Sequence, residues 1–264
     1  MRGEGSGLAA ASDAYTRTLG FMTVAFALFV FLIAGVVKGV VGMGLPTIAI
    51  GLLAVVMAPV QATALLLVPS MVTNLWQLLA GPSPWALCRR LWPIMAALFL
   101  GTLFTSQWLV KSASGWIPAA LGIILIAYGL LGLFSVRFTV ARSAEPVLSP
   151  VIGLITGLIA GLTGVFAIPA VPYLQALGLQ KEDLIQSLGL SFTVATVALG
   201  CGIWLHGGMQ QLDPVLSCVM LLPAVLGMWL GQWVRLKLSE LWFKRVFFLG
   251  LIALGLHSLI RALT

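Results

Sequence analysis

The sequence predicts an all-α polytopic membrane protein made of two inverted five-segment repeats, with broken or half-length helices that meet at mid-membrane. Of the 264 residues, 61% are hydrophobic and 8% are charged, and the mean hydropathy is +1.12. A soluble domain carries about 25% charged residues, so these values are typical of a chain that lies in a lipid bilayer. Apolar stretches of membrane-spanning length recur, and a glycine-rich interruption occurs at corresponding places in the two halves.

The charged residues are few and gather near the ends of the apolar stretches. Fourteen basic and seven acidic residues give a net charge of +7. Basic residues that flank apolar spans are typical of topology signals, whereas nucleic-acid binding needs a basic patch. We therefore expect the lipid bilayer, and no nucleic acid, as a partner. The expected location is the cell membrane, as a multi-pass protein of the bacterial inner membrane.

Several kinds of chemical site are missing from the sequence. No GxxxxGK[ST] motif for nucleotide binding occurs, and His206 and His257 have no partner at metal-ligand spacing. The cysteines Cys88, Cys201 and Cys218 lie far apart and form no CxxC pair. The sequence therefore predicts no cofactor, no metal site and no enzyme activity.

The first half of the chain divides into a tail and five segments. Residues 1–18 are rich in Gly, Ala and Ser and form a predicted N-terminal tail, and residues 19–134 form the first transmembrane repeat. Glycines and a proline end segment one, and Gly-Pro-Ser-Pro ends segment three. The predicted segments are 19–41, 47–57, 62–80, 92–110 and 116–134. Segment two has eleven residues, or about 16 Å of helix, which is half of a bilayer.

The same pattern starts again after a linker. Residues 135–148 form the linker, and residues 149–264 form the second transmembrane repeat. The glycines recur at an offset of 122, so that Gly157, Gly161 and Gly164 correspond to Gly35, Gly39 and Gly42. Residues 168–178 again form a half-length segment after the break, and 184–205 correspond to segment three. Two interrupted segments at corresponding positions indicate the binding site of a transporter.

The distribution of charge predicts how the two halves are oriented. Arg89 and Arg90 precede segment four of the first half, whereas the basic residues of the second half follow its fourth segment, within 235–245. Under the positive-inside rule this swap predicts inverted repeats, with 81–91, 135–148 and 235–245 in the cytoplasm. An alternative topology fuses each broken pair into one span and gives eight crossings with parallel halves.

Lys38 is the one charged residue that cannot be placed in a loop, a tail or a segment end. A cation at the centre of a membrane helix costs about 2.5–3.5 kcal/mol on insertion scales. The glycines around Lys38 and Pro46 favour an unwound helix, in which backbone N–H groups lack intrahelical partners. A cation beside such N–H groups is typical of an anion-binding site. The alternatives are that Lys38 extends to the membrane surface, or that the glycines only allow close helix packing.

The break region matches a known family pattern. The stretch GVVKGVVGMGLPTIAI at 35–50 is followed by VPSMVTNLWQ at 68–77. These stretches resemble the TauE/SafE family of sulfite exporters, which includes the 4-toluenesulfonate uptake permeases. The positions that carry the resemblance are Gly35, Gly39, Gly42, Gly44, Pro46, Pro69 and Asn74. The second half departs from the pattern, because Phe166 replaces the last glycine and Ala160 stands opposite Lys38. The resemblance implies a membrane carrier of sulfite, sulfonates, thiosulfate or sulfoacetate-like anions.

The first functional hypothesis is a secondary carrier for a small oxyanion, held at mid-membrane between the two repeats and reached by alternating access. In this hypothesis Lys38 neutralises the anion, backbone N–H groups of both breaks bind its oxygens, and hydroxyl and amide side chains supply further donors. The candidate substrate-binding residues are Lys38, Gly42, Met43, Gly44, Leu45, Pro46, Thr47, Asn74, Gln77, Gly164, Val165, Phe166, Ala167, Ser191, Thr193 and Thr196. For the last three, helix packing with hydroxyl bonds to carbonyls of the same helix is an equally good interpretation.

Two other functions stay open at this stage. An anion channel would use the same site, and a membrane-embedded thiol oxidoreductase would use the cysteines. The sequence does not decide which anion is carried, whether it is imported or exported, whether a proton or a sodium ion is coupled to its movement, or which oligomeric state the protein adopts.

Overall fold

The computed structural model describes residues 4–111, 116–134, 139–211, 213–235, 237 and 240–263. Within these ranges the chain forms ten α-helices, with a short 3₁₀ turn before the ninth. The helices are α1 (Glu4–Val41), α2 (Leu45–Leu53), α3 (Pro59–Leu79), α4 (Pro84–Lys111), α5 (Trp116–Phe134), α6 (Glu145–Thr163), α7 (Ala170–Ala176), α8 (Lys181–Leu205), α9 (Pro214–Arg235) and α10 (Glu240–Leu263).

The long helices give the protein its membrane-spanning character. Among the described residues, eight helices are long and apolar enough to cross a bilayer. The outer face of the bundle is apolar as well, since large side chains such as Phe134, Leu222 and Trp229 are exposed, whereas Lys38 and Asn74 are buried. This arrangement is the reverse of that in a soluble protein. The predicted all-α polytopic membrane fold is therefore confirmed.

The two remaining helices are short, with 9 residues in α2 and 7 in α7. They correspond to the half-length segments expected at 47–57 and 168–178. Each follows a glycine in the left-handed region, where other side chains are strained: Gly44, with φ 103°, precedes α2, and Gly164, with φ 75°, ends α6. Pro46 lies in the first turn of α2 and allows this helix to begin before the expected position.

Other boundaries differ where the sequence extends a helix beyond the expected segment. α1 begins at Glu4, inside the expected tail, because its alanine-rich sequence favours helix. α4 begins at Pro84, before the expected segment, because proline fits the first turn of a helix. α5 spans Trp116–Phe134 as predicted, and α6 begins inside the expected linker at Glu145. Residues 135–138 of that linker lie outside the described residues.

Glycines bring two pairs of helices into close parallel contact. A Cβ added at Gly39 of α1 would lie 2.9 Å from backbone atoms of Gly231 and Gln232 in α9, and one at Gly35 would meet Ala224, earlier in α9. Residue numbers rise together along both helices, so α1 and α9 run in the same direction. In the other half, α6 packs along α4 in the same way through Gly153, Gly157 and Gly161. Small residues allow this backbone contact in membrane helices.

The two central helices, α3 and α8, run in opposite directions. Gly189 of α8 packs against Leu78 near the end of α3, and Gly200, further along α8, packs against Leu67, earlier in α3. These helices occupy corresponding places in the two halves, and an inverted repeat makes corresponding helices antiparallel. The assignment of the cytoplasmic and external sides stays a prediction.

Candidate functional site

Lys38 lies in the last turn of α1 and is 3% exposed. Its Nζ donates hydrogen bonds to Asn74 Oδ1 and, at 3.2 Å, to Thr73 Oγ1, both on α3. Among the described residues no acidic side chain forms an ion pair with Lys38. The amine is therefore buried and held in place by two neutral oxygens.

The hydrogen bonds continue from α3 to α8. Asn74 Nδ2 donates to Ser70 Oγ at 2.9 Å, and Thr196 Oγ1 of α8 lies 3.3 Å from the same Ser70 Oγ. All of these side chains are buried. Buried polar side chains that satisfy one another fix a single arrangement. We call Lys38, Thr73, Asn74, Ser70 and Thr196 the polar chain; it connects α1, α3 and α8.

Gln77 connects the first break to the same face of α3. Its Nε2 donates to the carbonyl oxygen of Gly42 at 3.0 Å and to that of Ile185 in α8 at 2.7 Å. Gly42 has φ 81° and directly follows the last residue of α1. Because Gln77 lies one turn beyond Asn74, the first break adjoins the polar chain.

The first break leaves a run of backbone donors without acceptors. Within the described part of the chain, no hydrogen bond involves the N–H groups of Met43, Gly44, Leu45 or Thr47, and all four residues are buried. Pro46 has no N–H group to satisfy. Buried backbone donors are nearly always paired, so several unpaired ones at a helix N-terminus indicate a place for an anion or for water.

The second break has similar donors but no charge. Val165 N–H donates to Thr163 Oγ1 at 3.2 Å, while no hydrogen bond of the described residues involves the N–H groups of Phe166 and Ala167. The Phe166 ring packs on Phe192 of α8, with centroids 5.3 Å apart. The first half alone therefore supplies a cation.

The two breaks lie at different levels of the bundle. Gly42 contacts α3 at Gln77, whereas Gly164 lies against Thr63, fourteen residues earlier in α3. Fourteen residues of helix are about 21 Å. The two breaks therefore contact α3 at places about 21 Å apart, and the meeting of the broken helices at mid-membrane stays a prediction. The polar chain lies between these levels.

Two other candidate residues, both on α8, form no hydrogen bond with the polar chain among the described residues. Thr193 Oγ1 donates to the carbonyl oxygen of Gly189 in its own helix at 2.7 Å, as the packing interpretation expects. Ser191 Oγ is buried and has no hydrogen-bond partner among the described residues.

Three residues of this region are not among the candidate binding residues. Ser70 and Thr73 belong to the polar chain, and the sequence places Ser70 on one helix face with Asn74 and Gln77, at i, i+4 and i+7. Gln186 of α8 is fully buried; its Nε2 donates to the Leu78 carbonyl at 2.6 Å, and its Oε1 accepts from Ser83 N–H at 2.9 Å. No sequence pattern distinguishes Gln186 from a surface residue in the first turns of a helix.

Comparison with known proteins was made at three levels. A search of curated proteins and a search of solved structures each found no match. The family model for the sulfite exporter TauE/SafE matches residues 27–258, which is nearly the whole chain and includes both breaks and the polar chain. The match confirms the resemblance seen in the break motifs, and the chain belongs to the TauE/SafE sulfite exporter family.

Proposed function

We propose that the protein is a secondary transporter that carries a small sulfur-containing anion across the bacterial inner membrane. The substrate class comprises sulfite, sulfonates, thiosulfate and sulfoacetate-like anions. The family is one of membrane transporters for sulfur anions, which supports this class. The observation that carries the proposal is the buried amine of Lys38, which has only neutral partners and adjoins a break with unpaired N–H groups.

An anion would complete the surroundings of Lys38. A cation inside a membrane is costly, and hydrogen bonds that it donates to neutral oxygens leave its charge uncompensated. An oxyanion would accept from the Lys38 amine and from the backbone donors at 43–47. Asn74 and Thr73 would hold the amine in place as the anion arrives. An oxyanion of sulfur suits this set, because its several oxygens accept many hydrogen bonds at once.

The contacts at both ends of α3 support a mechanism of alternating access. At one end, Gln77 donates to the Ile185 carbonyl and Gln186 donates to the Leu78 carbonyl, so the two glutamines join α3 and α8 reciprocally. At the other end, Gly164 lies against Thr63. The polar chain is thus closed at both ends. Rocking one repeat against the other would open one end while the other stays closed.

The closed site favours a carrier over an anion channel. A channel needs a continuous path, whereas Lys38 and Asn74 are 3% and 0% exposed. Counterflow separates the two functions, because only a carrier accumulates labelled substrate in exchange for unlabelled substrate. We expect counterflow of sulfite or a sulfonate in proteoliposomes that contain the purified protein.

The variant Lys38→Met tests the proposed site in the same assay. It removes the charge and keeps a long flexible side chain, so we expect counterflow to disappear. Lys111→Met is the matched control, because Lys111 is exposed at the end of α4 and its variant should transport normally. Normal counterflow by Lys38→Met would remove Lys38 from the site. Flux without counterflow in the unmodified protein would indicate a channel.

A further inference from the structure

A cleft of about 870 Å³ opens between the first halves of α4 and α6. The two helices stay in close contact beside the cleft, where Gly153 packs on Ile94 and Gly157 packs on Leu98 of α4. Prolines lie inside both helices near the cleft, at Pro93 and Pro150. The cleft is separate from the polar chain, and the proposed transport does not use it.

One end of the cleft is basic. Arg90 forms a two-point ion pair with Glu145, with Nε–Oε2 at 3.0 Å and Nη2–Oε1 at 2.6 Å, so these two charges balance. Arg142 also lines the cleft, is exposed, and its side chain forms no hydrogen bond or ion pair with the described residues. The end of the cleft therefore carries one positive charge in excess.

The wall beyond this basic end is apolar. It follows α4 from Trp92 to Leu100, whose side chains are both exposed on the outer face of the bundle. Arg90 and Leu100 are ten residues apart, or about 15 Å of helix, which is the depth of one leaflet of a bilayer. A basic end followed by an apolar wall of this length matches a phospholipid in both charge and size.

We propose that this cleft binds one anionic phospholipid, with the headgroup phosphate at Arg142 and Arg90 and an acyl chain along α4. Basic pockets between membrane helices on the cytoplasmic side bind anionic headgroups. The cleft lies at residues that the charge distribution assigns to the cytoplasm, where anionic lipids attract arginine. The Arg90–Glu145 pair positions the Arg90 guanidinium, and Arg142 supplies the charge that distinguishes an anionic lipid from a zwitterionic one.

The test is native mass spectrometry of the full-length protein with added phosphatidylglycerol or phosphatidylcholine. We expect the unmodified protein to retain phosphatidylglycerol preferentially. Arg142→Gln should weaken its retention by about 5-fold, the effect of one basic residue near an anionic membrane surface. Arg89→Gln is the matched control, because Arg89 is exposed on α4 and does not line the cleft.

A second variant tests the shape of the cleft without changing its charge. Ala96→Trp places a large side chain on the cleft wall and leaves both arginines in place, so we expect it to reduce retention of phosphatidylglycerol. Equal retention of the two lipids by the unmodified protein would overturn the proposal. So would equal effects of Arg142→Gln and Arg89→Gln, or full retention by Ala96→Trp. Displacement of the lipid by inorganic phosphate would show a simple phosphate site instead and would also overturn it.

Discussion

Replacing Ser70 by alanine would test whether the polar chain acts as one unit. Ser70 does not touch Lys38, but its Oγ accepts the hydrogen bond from Asn74 Nδ2 at 2.9 Å. This bond orients the Asn74 amide so that its oxygen faces the Lys38 amine. Without it, the amide can turn and present its N–H groups to Lys38, which repel the ammonium.

The size of the effect follows from one buried donor that loses its acceptor. An unsatisfied buried polar group costs about 1–3 kcal/mol. If this cost falls on the anion-bound state, in which Asn74 must hold Lys38, it corresponds to an affinity that is about 5- to 140-fold weaker. The small volume lost at Ser70 adds little, so we expect the variant to fold and to enter the membrane.

Concentration-dependent uptake of sulfite into proteoliposomes measures this effect as a rise in KM. Ser187→Ala is the matched control, because Ser187 is equally buried in α8 and its Oγ bonds only to the Leu184 carbonyl of its own helix, at 2.8 Å. We expect its KM to be unchanged. The same KM for Ser70→Ala and Ser187→Ala would refute the idea that Ser70 positions Asn74 for the substrate.

The remaining predictions concern the contacts between helices. Gly157→Ala should lower the free energy of unfolding by about 1–3 kcal/mol, because the added Cβ would press on the α4 backbone. Gly250→Ala is the control and should leave this free energy unchanged, since Gly250 has open space around it. Thermal denaturation in detergent compares the two variants. Gln186→Leu loses two hydrogen bonds and should cost about 1–3 kcal/mol in the same measurement. Gln107→Leu is its control, because Gln107 is partly exposed and its side chain bonds only within its own helix. Equal losses for these two glutamine variants would contradict a stabilising role for the Gln186 bonds.

The sequence predicts the burial of Lys38 because the apolar run continues past it through the glycine-rich break to residue 57 and offers no loop for the charge. The pairing of Asn74 with Ser70 is equally predictable, since residues four apart share a helix face. The contact between Lys38 and α3 has no such local signal. This contact depends on the orientation of α1 relative to α3, and the path of the chain through α2 sets that orientation.

The difference between local signals and contacts between distant helices also explains which features of the two breaks and of α8 the sequence does not predict. Glycines mark both breaks in the sequence, with Pro46 at the first and Pro169 at the second, but the levels of the breaks in the bundle depend on how far each long helix runs before it ends. Ser191 and Thr196 look alike in the sequence, but of these two side chains only Thr196 bonds to Ser70 of α3 among the described residues. The periodicity of the sequence therefore predicts which residues share one face of a helix, but it does not predict which neighbouring helix packs against that face.

The most direct test of the central claim is whether a small sulfur anion binds at Lys38. In a thermal-shift panel of sulfite, sulfate, thiosulfate and organosulfonates, a ligand at 100 times its Kd should stabilise the purified protein by about 2.7 kcal/mol. We predict this stabilisation for the unmodified protein and for Lys111→Met, and none for Lys38→Met at the same concentration. Equal stabilisation of Lys38→Met would contradict the claim that the buried amine receives the anion.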